Sequence, residues 1–319
     1  MSRPILLALV LCGIGQSASL KNELAGLATG FDGRVGVCVQ ERSGAVCENG
    51  DRRFSLQSVM KLIVAVAVMD RVDSRGWRLD EPVVVHKKDL SVFVQPIAAL
   101  VTEQGYRTTV GDLVRRAIVD SDSAAADILI AKLGGPAAVQ SFLDRKSIAG
   151  VRVDRDEKHL QTEILGLEWR AGFVDHAVLD RAAESVPEER RDRAYRRYQA
   201  DVRDTATPRG MSSFLISLAD GRLVSAASTA HLLRVMTGTV TSPDRLKAGV
   251  TAGWTLAHKT GTSGAWKGVT AATNDVGILT APDGGRLAIV VFIGDSREPS
   301  ARRAELMASA ARIAIANYR

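Results

Sequence analysis

Residues 58–69 read SVMKLIVAVAVM, a serine followed by an apolar run that one charged residue, Lys61, interrupts. A helix that is apolar on every side is typical of a domain core, so this run predicts a buried helix over 58–72. Residues three apart share a helix face, which puts Ser58 and Lys61 within reach of each other. Because burial disfavours a charged amine, we expect Lys61 to accept the hydroxyl proton of Ser58 and to turn it into a nucleophile.

Predicted strands lie toward the two ends of the chain, and most of the predicted helices lie between them. Helices are predicted at Val110–Val119, Ala124–Leu133, Ala137–Arg145, 208–219 and 228–237, with one more at each end, Lys21–Ala28 and Glu298–Asn317. Strands are predicted at Val35–Gln40, Ala45–Glu48, Gly253–His258, Thr273–Thr280 and Arg286–Ile293. Strands at both ends with helices between them predict an α+β fold in which the termini build one antiparallel sheet. We expect a sheet lobe at about 20–57 and 220–319 and an all-helical lobe at about 58–219.

Two short clusters elsewhere carry groups suited to chemistry. Lys259-Thr260-Gly261 follows a predicted strand, and a cation beside a hydroxyl, with a glycine that permits close approach, suits a substrate carboxylate. Ser121-Asp122-Ser123 lies in a short break between two predicted helices. Taken alone, the second cluster is more typical of a helix-capping turn, since serine and aspartate are favoured caps.

The N-terminus has the features of an export signal. Arg3 precedes a short apolar run, and small residues follow it up to Ser19, which predicts a signal peptide over 1–19. The mature protein is then expected to be periplasmic or secreted. No later segment reaches the length that a stable membrane span needs.

Two cysteines remain after the signal peptide. A turn at Arg42-Ser43 would place Cys38 directly opposite Cys47 on neighbouring strands. In an oxidising compartment this pair can form a disulfide, and two free thiols packed between the strands are the alternative. Neither cysteine has the features of a catalytic residue.

Composition and charge indicate which kinds of partner the protein is not expected to bind. Much of the basic excess behind the formal charge of +6 falls in 188–197, where acids and bases alternate as on a solvated helix face. Aromatic residues make up only 5% of the chain and no nucleic-acid-binding motif accompanies the charge, so nucleic acid is not an expected partner. The five histidines show no metal-ligand spacing, so neither a metal nor another cofactor is expected. A monomer is the default expectation.

Taken together, the motifs resemble those of the class A serine β-lactamases and the related penicillin-binding proteins. That signature is S-x-x-K, then S-D-N, then K-T-G. The chain has Ser58-Val59-Met60-Lys61, Ser121-Asp122-Ser123 and Lys259-Thr260-Gly261 in that order, and 154–161, 204–208 and 274–277 extend the likeness over roughly residues 22–319. The resemblance implies the β-lactamase/transpeptidase-like fold: a five-stranded antiparallel sheet flanked by helices plus an all-helical lobe, in one catalytic domain over 20–319.

The resemblance also implies roles in the hydrolysis of a small-molecule β-lactam, the reaction that confers antibiotic resistance. A β-lactam would acylate Ser58, and Glu157 would hold the water that releases the product. The expected catalytic residues are Ser58, Lys61, Ser121 and Glu157, with the backbone N–H groups of Ser58 and Thr262 as the oxyanion hole. Substrate contacts are expected from Ser123, Gln161, Lys259, Thr260, Gly261 and Thr262, and structural roles from Asp122 and from an Arg155–Asp204 pair that closes the neck of a loop.

Three departures from the family pattern bear on rate and substrate range. Ser123 stands where the family has an asparagine that contacts substrate. Gln161 replaces the asparagine that helps to place the hydrolytic water, and its extra methylene would shift that water. Residues 162–203 make the loop far longer than in the family and predict an extra helical hairpin, either a lid over the site or a unit packed on the surface.

Other functions stay open on the sequence alone. A peptidoglycan D,D-peptidase would bind penicillin but deacylate slowly, and it would need no base at Glu157. A β-lactam-binding domain with an impaired site would explain Ser123 and Gln161, but every acid–base residue is retained. A glutaminase-type serine amidase shares S-x-x-K without requiring K-T-G.

Overall fold

The computed structural model describes residues 19–318. The predicted signal peptide, 1–19, lies outside the described residues except for Ser19, which is already helical. Across 19–318, no helix combines the length and the apolar character that crossing a membrane would require. The helices are α1 (19–28), α2 (Met60–Asp73), α3 (Val110–Val119), α4 (Ser123–Leu133), α5 (Pro136–Arg145), α6 (Glu157–Ile164), α7 (His176–Glu184), α8 (Glu188–Ala200), α9 (Pro208–Ala219), α10 (Ala226–Thr237) and α11 (Ser300–Ala316).

The strands form one large sheet and two small ones. They are β1 (Arg34–Glu41), β2 (Gly44–Glu48), β3 (Phe54–Ser55), β4 (Pro82–Val85), β5 (Tyr106–Thr109), β6 (Thr205–Ala206), β7 (Thr255–Thr262), β8 (Ala265–Trp266), β9 (Val269–Thr280) and β10 (Arg286–Ser296). The large sheet is antiparallel in the order β2-β1-β10-β9-β7, which confirms the predicted fold class and the five strands built by the two ends of the chain. A two-residue strand, β8, pairs with β9 as a sixth that the sequence did not predict.

The large sheet is buried on both faces. Along β10, Leu287, Ile289, Val291 and Ile293 alternate with Ala288, Val290 and Phe292. Because successive side chains of a strand point to opposite faces, the first set packs with α1 and α11 and the second set with α2 and its neighbours. The position of α2 in this second core explains why its sequence shows no polar face.

The helix α9 lies where the two predicted lobes meet. The sequence placed residues up to 219 in the helical lobe, but α9 packs against β1 and β10 of the large sheet. Its apolar residues, among them Phe214 and Leu215, are fully buried there. The cause is that lobe membership follows from tertiary packing, whereas helical periodicity reports only the element itself.

The predicted hairpin at the N-terminal end of the sheet is present. Cys38 pairs with Cys47 in the register of β1 and β2, and a disulfide joins the two residues. The free-thiol alternative therefore does not describe this structure.

A short ladder leads from the sheet to the region of Ser58. β3 pairs with β6, so that Phe54 faces Ala206 and Ser55 faces Thr205. The N–H of Leu56 then donates to the carbonyl of Asp204 at 2.8 Å. This ladder joins the segment before Ser58 to the end of the long loop 154–204, and thereby fixes the position of the loop relative to α2.

Candidate active site

Ser58 lies on a short 3-10 turn, Gln57–Val59, immediately before α2. Strand β7 passes very close to this turn, since a Cβ on Gly261 would lie 2.7 Å from the carbonyl oxygen of Leu56 and 3.2 Å from the nitrogen of Ser58. Only glycine fits such an approach. The side-chain amide of Asn274 donates to the carbonyls of Ser55 and Leu56 and holds the turn against β9. The K-T-G motif is part of β7, whereas the sequence placed it after the strand.

Lys61 is fully buried and is the second residue of α2. Its Nζ donates to the carbonyl of Ser121 at 2.6 Å and to the Oγ of Ser123 at 3.1 Å. The same Nζ lies 3.3 Å from Oε1 of Glu157, which is also buried. Three of the predicted residues thus surround the ammonium, and Glu157 balances its charge in the interior.

The hydroxyl of Ser58 and the carboxylate of Glu157 meet directly. Ser58 Oγ is 3.5 Å from Oε1 of Glu157, the oxygen that also faces Lys61. The serine hydroxyl and the lysine ammonium therefore converge on the same carboxylate oxygen.

Ser121 lies between two lysines. Its Oγ is 2.9 Å from Nζ of Lys259 and 3.5 Å from Nζ of Lys61. Burial lowers the pKa of Lys259 well below its usual range, and the nearby Lys61 ammonium lowers it further. Ser121 has a φ of +57°, a conformation that costs energy for a residue with a Cβ and often accompanies functional sites.

Asp122 has the capping role that the sequence offered as the simpler interpretation. Its Oδ1 accepts the N–H of Ala125 at 2.9 Å at the start of α4. Its Oδ2 accepts the N–H of Ile97 at 2.7 Å and so holds the preceding segment against the same helix. The side chain is fully buried, and burial raises the pKa of its carboxyl.

Glu157 is the first residue of α6, and its backbone is held by Asp127 of α4. Oδ1 of Asp127 accepts the N–H of Glu157 at 2.7 Å, and Oδ2 accepts the hydroxyl of Ser91 at 2.6 Å. Burial raises the pKa of Asp127 to about 7, and the charge of Asp156 adds to this effect. Asp127 was not among the predicted site residues, although an acidic residue within the apolar helix Ser123–Leu133 was an available signal.

Gln161 reaches Glu157 from the next turn of α6. Its Nε2 donates to Oε2 of Glu157 at 3.2 Å and to Oε1 of Gln57 at 2.8 Å. The longer side chain therefore contacts the carboxylate and the turn that carries Ser58 at the same time.

The predicted loop-closing pair is formed. Nε of Arg155 lies 2.6 Å from Oδ2 of Asp204, which is fully buried. Oδ1 of Asp204 accepts the N–H groups of Asp154 and Arg155 at 2.6 and 2.9 Å. Burial raises the pKa of Asp204, and the Arg155 guanidinium opposes that shift.

Arg245 is a second residue that sequence analysis missed. It is buried in the segment between α10 and β7, and its Nη2 donates to the hydroxyl of Thr262 at 2.7 Å. Nη1 donates to the carbonyl of Asn274 at 2.9 Å. No motif or periodicity marked this position, because its partners lie on strands distant in sequence.

A cavity of about 240 Å³ opens over these residues. Its lining includes Ser58, Ser123, Glu157, Gln161 and Thr262 from the predicted site. Lys61 and Lys259 lie behind this wall, while Arg155 and Asp204 lie at the base of the long loop. The loop itself contributes lining residues from its inserted part, Ile164, Leu165, Arg191 and Tyr195.

Comparison with known proteins places this geometry in one family. A family profile described as "Beta-lactamase enzyme family" matches residues 19–318. The extended-spectrum β-lactamase PER-1 of Pseudomonas aeruginosa is 29% identical over 94% of this chain and 87% of its own length. The β-lactamase Toho-1 of Escherichia coli is 27% identical over 93% of this chain and 89% of its own length.

Solved structures agree. A structure titled as an ancestral (GNCA) class A β-lactamase superposes with a TM-score of 0.75 at 30% identity, covering 94% of this chain and all of that one. A β-lactamase from Chitinophaga pinensis gives a TM-score of 0.75 at 28% identity, covering 92% of this chain and 97% of its own. The profile match spans nearly the whole chain, and so this protein belongs to the beta-lactamase enzyme family, within class A.

Proposed function

We propose that this serine β-lactamase opens its substrates through an acyl-enzyme on Ser58 that Glu157 then hydrolyses. The convergence of Ser58 Oγ and Lys61 Nζ on Oε1 of Glu157, at 3.5 and 3.3 Å, carries the proposal. In acylation, Ser58 Oγ attacks the lactam carbonyl while its proton passes to the Lys61–Glu157 pair. The backbone N–H groups of Ser58 and Thr262 stabilise the oxyanion.

The leaving nitrogen needs a proton when the lactam C–N bond breaks. Ser121 donates it, and Lys259 or Lys61 replaces it through the contacts of 2.9 and 3.5 Å. The lowered pKa of Lys259, caused by burial, makes its ammonium a readier proton donor. Lys259 and Thr260 on β7, with Arg245 bonded to Thr262 of the same strand, supply the positive charge and hydroxyl that hold the carboxylate on the drug's fused ring.

Deacylation uses Glu157 as the base. A water between Glu157 and the acyl carbonyl loses a proton to the carboxylate, and the hydroxide adds to the carbonyl carbon. The tetrahedral intermediate then expels Ser58, whose oxygen regains a proton, and the ring-opened acid leaves. Gln161 contacts both the carboxylate and the Ser58 turn, and we assign to it the positioning of that water.

Intact-mass spectrometry with benzylpenicillin tests both steps. The parent should turn the drug over without a lasting adduct, and Ser58→Ala should form none. Glu157→Gln should accumulate an adduct of the drug's mass, because Ser58 can still be acylated in this variant while hydrolysis of the acyl-enzyme has lost its base. Release of the adduct by Glu157→Gln at the parental rate would remove Glu157 from this role. A parent that forms a stable adduct would instead favour the D,D-peptidase alternative.

We also infer that the mature protein acts outside the cytoplasm as a monomer. The disulfide between Cys38 and Cys47 is typical of proteins in an oxidising compartment. All the proposed catalytic groups come from one chain, so the site needs no partner subunit. Measuring β-lactamase activity in separate periplasmic and cytoplasmic fractions tests the compartment, and size-exclusion chromatography of the active fraction tests the oligomeric state. Activity confined to the cytoplasm would contradict the first inference, and activity confined to a dimer would contradict the second.

A further inference from the structure

The inserted helix α8 is part of the substrate cavity, and it is fixed there by the strand connection opposite. The phenol oxygen of Tyr195 lies 2.8 and 3.0 Å from the carbonyl oxygens of Val269 and Gly264, and it accepts the N–H of Ala271 at 3.0 Å. The indole N–H of Trp266 donates to Oδ1 of Asp192 at 2.6 Å. These contacts hold α8 against the β7–β9 connection and make it a fixed wall.

Arg191 of this helix lines the cavity together with Ser58. Its guanidinium stacks over the ring of Trp266, with Cζ 4.9 Å from the ring centroid, which fixes the plane of the charged group. Its Nε is buried and finds no hydrogen-bond acceptor among residues 19–318. Burial lowers the pKa of the Arg191 guanidinium, as expected for a cation whose charge no nearby carboxylate offsets.

Of the charged side chains around the cavity, the carboxylate has a counter-ion and the guanidinium has none in the part of the chain that the structure describes. The cavity lining contains two charged side chains, Glu157 and Arg191. Lys61 already neutralises Glu157 at 3.3 Å. Within the described chain no ion pair involves Arg191, so a half-buried guanidinium without a counter-ion lines the space that substrate must fill. Such a group favours an anionic acceptor from the ligand, because a charge-assisted hydrogen bond would satisfy it.

The position of Arg191 indicates which part of a β-lactam it would meet. The carboxylate on the fused ring is assigned to Lys259 and Thr260 of β7 and to Arg245 beside that strand. With the lactam carbonyl held at Ser58, the acylamino side chain projects away from that carboxylate, toward the wall that α8 supplies. We propose that Arg191 is a specificity-determining residue that selects β-lactams with a negatively charged group on the acylamino side chain.

Three penicillins that differ at one carbon test the proposal. Benzylpenicillin, its α-carboxyl derivative and its α-amino derivative carry no charge, a negative charge and a positive charge next to the side-chain carbonyl. The measured quantity is kcat/KM for each charged penicillin divided by that for benzylpenicillin. In the parent the α-carboxyl ratio should exceed the α-amino ratio. Arg191→Gln should lower the α-carboxyl ratio by on the order of tenfold, mainly through KM, and raise the α-amino ratio.

Matched variants separate a local contact from other effects. Arg196→Gln makes the same change of charge at an exposed position of α8 and should leave both ratios unchanged. Arg191→Lys keeps the charge but loses the planar, stacked group, so its ratios should be intermediate. An unchanged α-carboxyl ratio in Arg191→Gln, an equal fall in Arg196→Gln, or an equal loss for all three penicillins would overturn the proposal.

This inference rests on the assignment of Ser58 as the nucleophile within this cavity. Different results would contradict the role of Ser58 and the role of Arg191. Failure of the parent to hydrolyse benzylpenicillin would remove the mechanism, whereas normal hydrolysis with insensitive ratios would remove only the role of Arg191.

Discussion

The phenol oxygen of Tyr198 accepts a hydrogen bond from the side-chain amide of Gln57, although 141 residues separate the two in sequence. Oε1 of the same amide accepts from Nε2 of Gln161 at 2.8 Å, and Gln161 in turn donates to Glu157 at 3.2 Å. The hydroxyl of Tyr198 is left to donate to Ser55 Oγ, 2.8 Å away. A hydrogen-bonded chain thus runs from the inserted helix α8 to the proposed base.

Tyr198→Phe should slow deacylation more than acylation. Without the phenol oxygen, the Gln57 amide loses its buried acceptor and is free to turn, which releases Gln161 from its position beside Glu157. We expect a fall in the deacylation rate of roughly threefold to tenfold and a loss of ~1–3 kcal/mol in the free energy of unfolding. Single-turnover kinetics by quenched-flow mass spectrometry separates the two rates.

Tyr195→Phe is the matched control for this variant. It removes another buried phenol oxygen from the same helix, but that oxygen contacts the β7–β9 connection instead of Gln57. A similar cost in stability without selective slowing of deacylation is expected. Equal effects of the two variants on the deacylation rate would assign the effect to the attachment of α8 to the β7–β9 connection and not to the chain through Gln57.

Arg155→Ala should destabilise the protein and impair deacylation together. The substitution leaves the buried Asp204 carboxyl without its cation, a change that typically costs ~3–5 kcal/mol. It also loosens the neck of the loop that carries Glu157. Urea unfolding measures the first effect, and build-up of the acyl-enzyme with benzylpenicillin measures the second.

Arg203→Ala provides the comparison for the loop neck. Arg203 pairs with Asp201 and Glu163 on the same loop, but solvent reaches its side chain, whereas that of Arg155 is buried. Ion pairs that solvent can screen contribute ~0–1 kcal/mol, so the removal of Arg203 should have much less effect on both measurements than the removal of Arg155. A comparable loss in both variants would mean that charge on the loop, and not the buried pair, supports the site.

The elements that were predicted best from the sequence are those that the residues of the segment itself identify. The run 58–69 marked the buried helix α2 because its residues are apolar at every helical position. The three motifs marked Ser58, Ser121 and Lys259 because residue types and order were enough, and the structure brings these residues together. The helices α3, α4, α5, α9 and α10 begin and end within two residues of the predicted bounds, since caps, glycines and prolines punctuate them.

The residues that escaped sequence analysis act through distant partners. Tyr198 directly follows the charged stretch 188–197, whose pattern is typical of a solvated helix face, yet its side chain is buried against Gln57. Arg245 occupies a segment without periodicity, and its partner Thr262 belongs to a strand that begins ten residues later. The packing of α9 on the sheet escaped for the same reason. Such contacts become visible only when the topology brings the segments together.

Ser123→Asn should improve the affinity for substrate. Ser123 Oγ accepts from Lys61 Nζ at 3.1 Å, and its one remaining donor is the O–H on that same short side chain. An asparagine oxygen can keep that contact while its NH₂ group donates to the side-chain carbonyl of the β-lactam. We expect KM for benzylpenicillin to fall severalfold, by about the value of one hydrogen bond, with kcat little changed. Steady-state kinetics measures both, and Ser123→Ala, which removes the Lys61 contact, should lower kcat instead.

Asp127→Asn should change how stability depends on pH. The folded carboxyl has a pKa of about 7, raised chiefly by burial, against about 3.9 in an unfolded chain. Between these values the folded state holds a proton that the unfolded state has lost. The contribution of Asp127 is therefore fully present below about pH 4 and is lost as the pH rises through 7, by an amount on the order of a few kcal/mol.

An asparagine does not titrate, so Asp127→Asn should gain stability relative to the parent as the pH increases from 4 to 8. Its oxygen can still accept the N–H of Glu157, which keeps α6 in place. Urea unfolding at several pH values gives the difference in free energy between the two proteins. Asp283→Asn serves as the control, because Asp283 is exposed and its pKa is lowered, chiefly by the N–H of Gly285, so any trend should have the opposite sign. If the difference for Asp127→Asn stays constant across this range, the buried carboxyl titrates alike in the folded and unfolded chains, and its contact with Glu157 carries no dependence on pH.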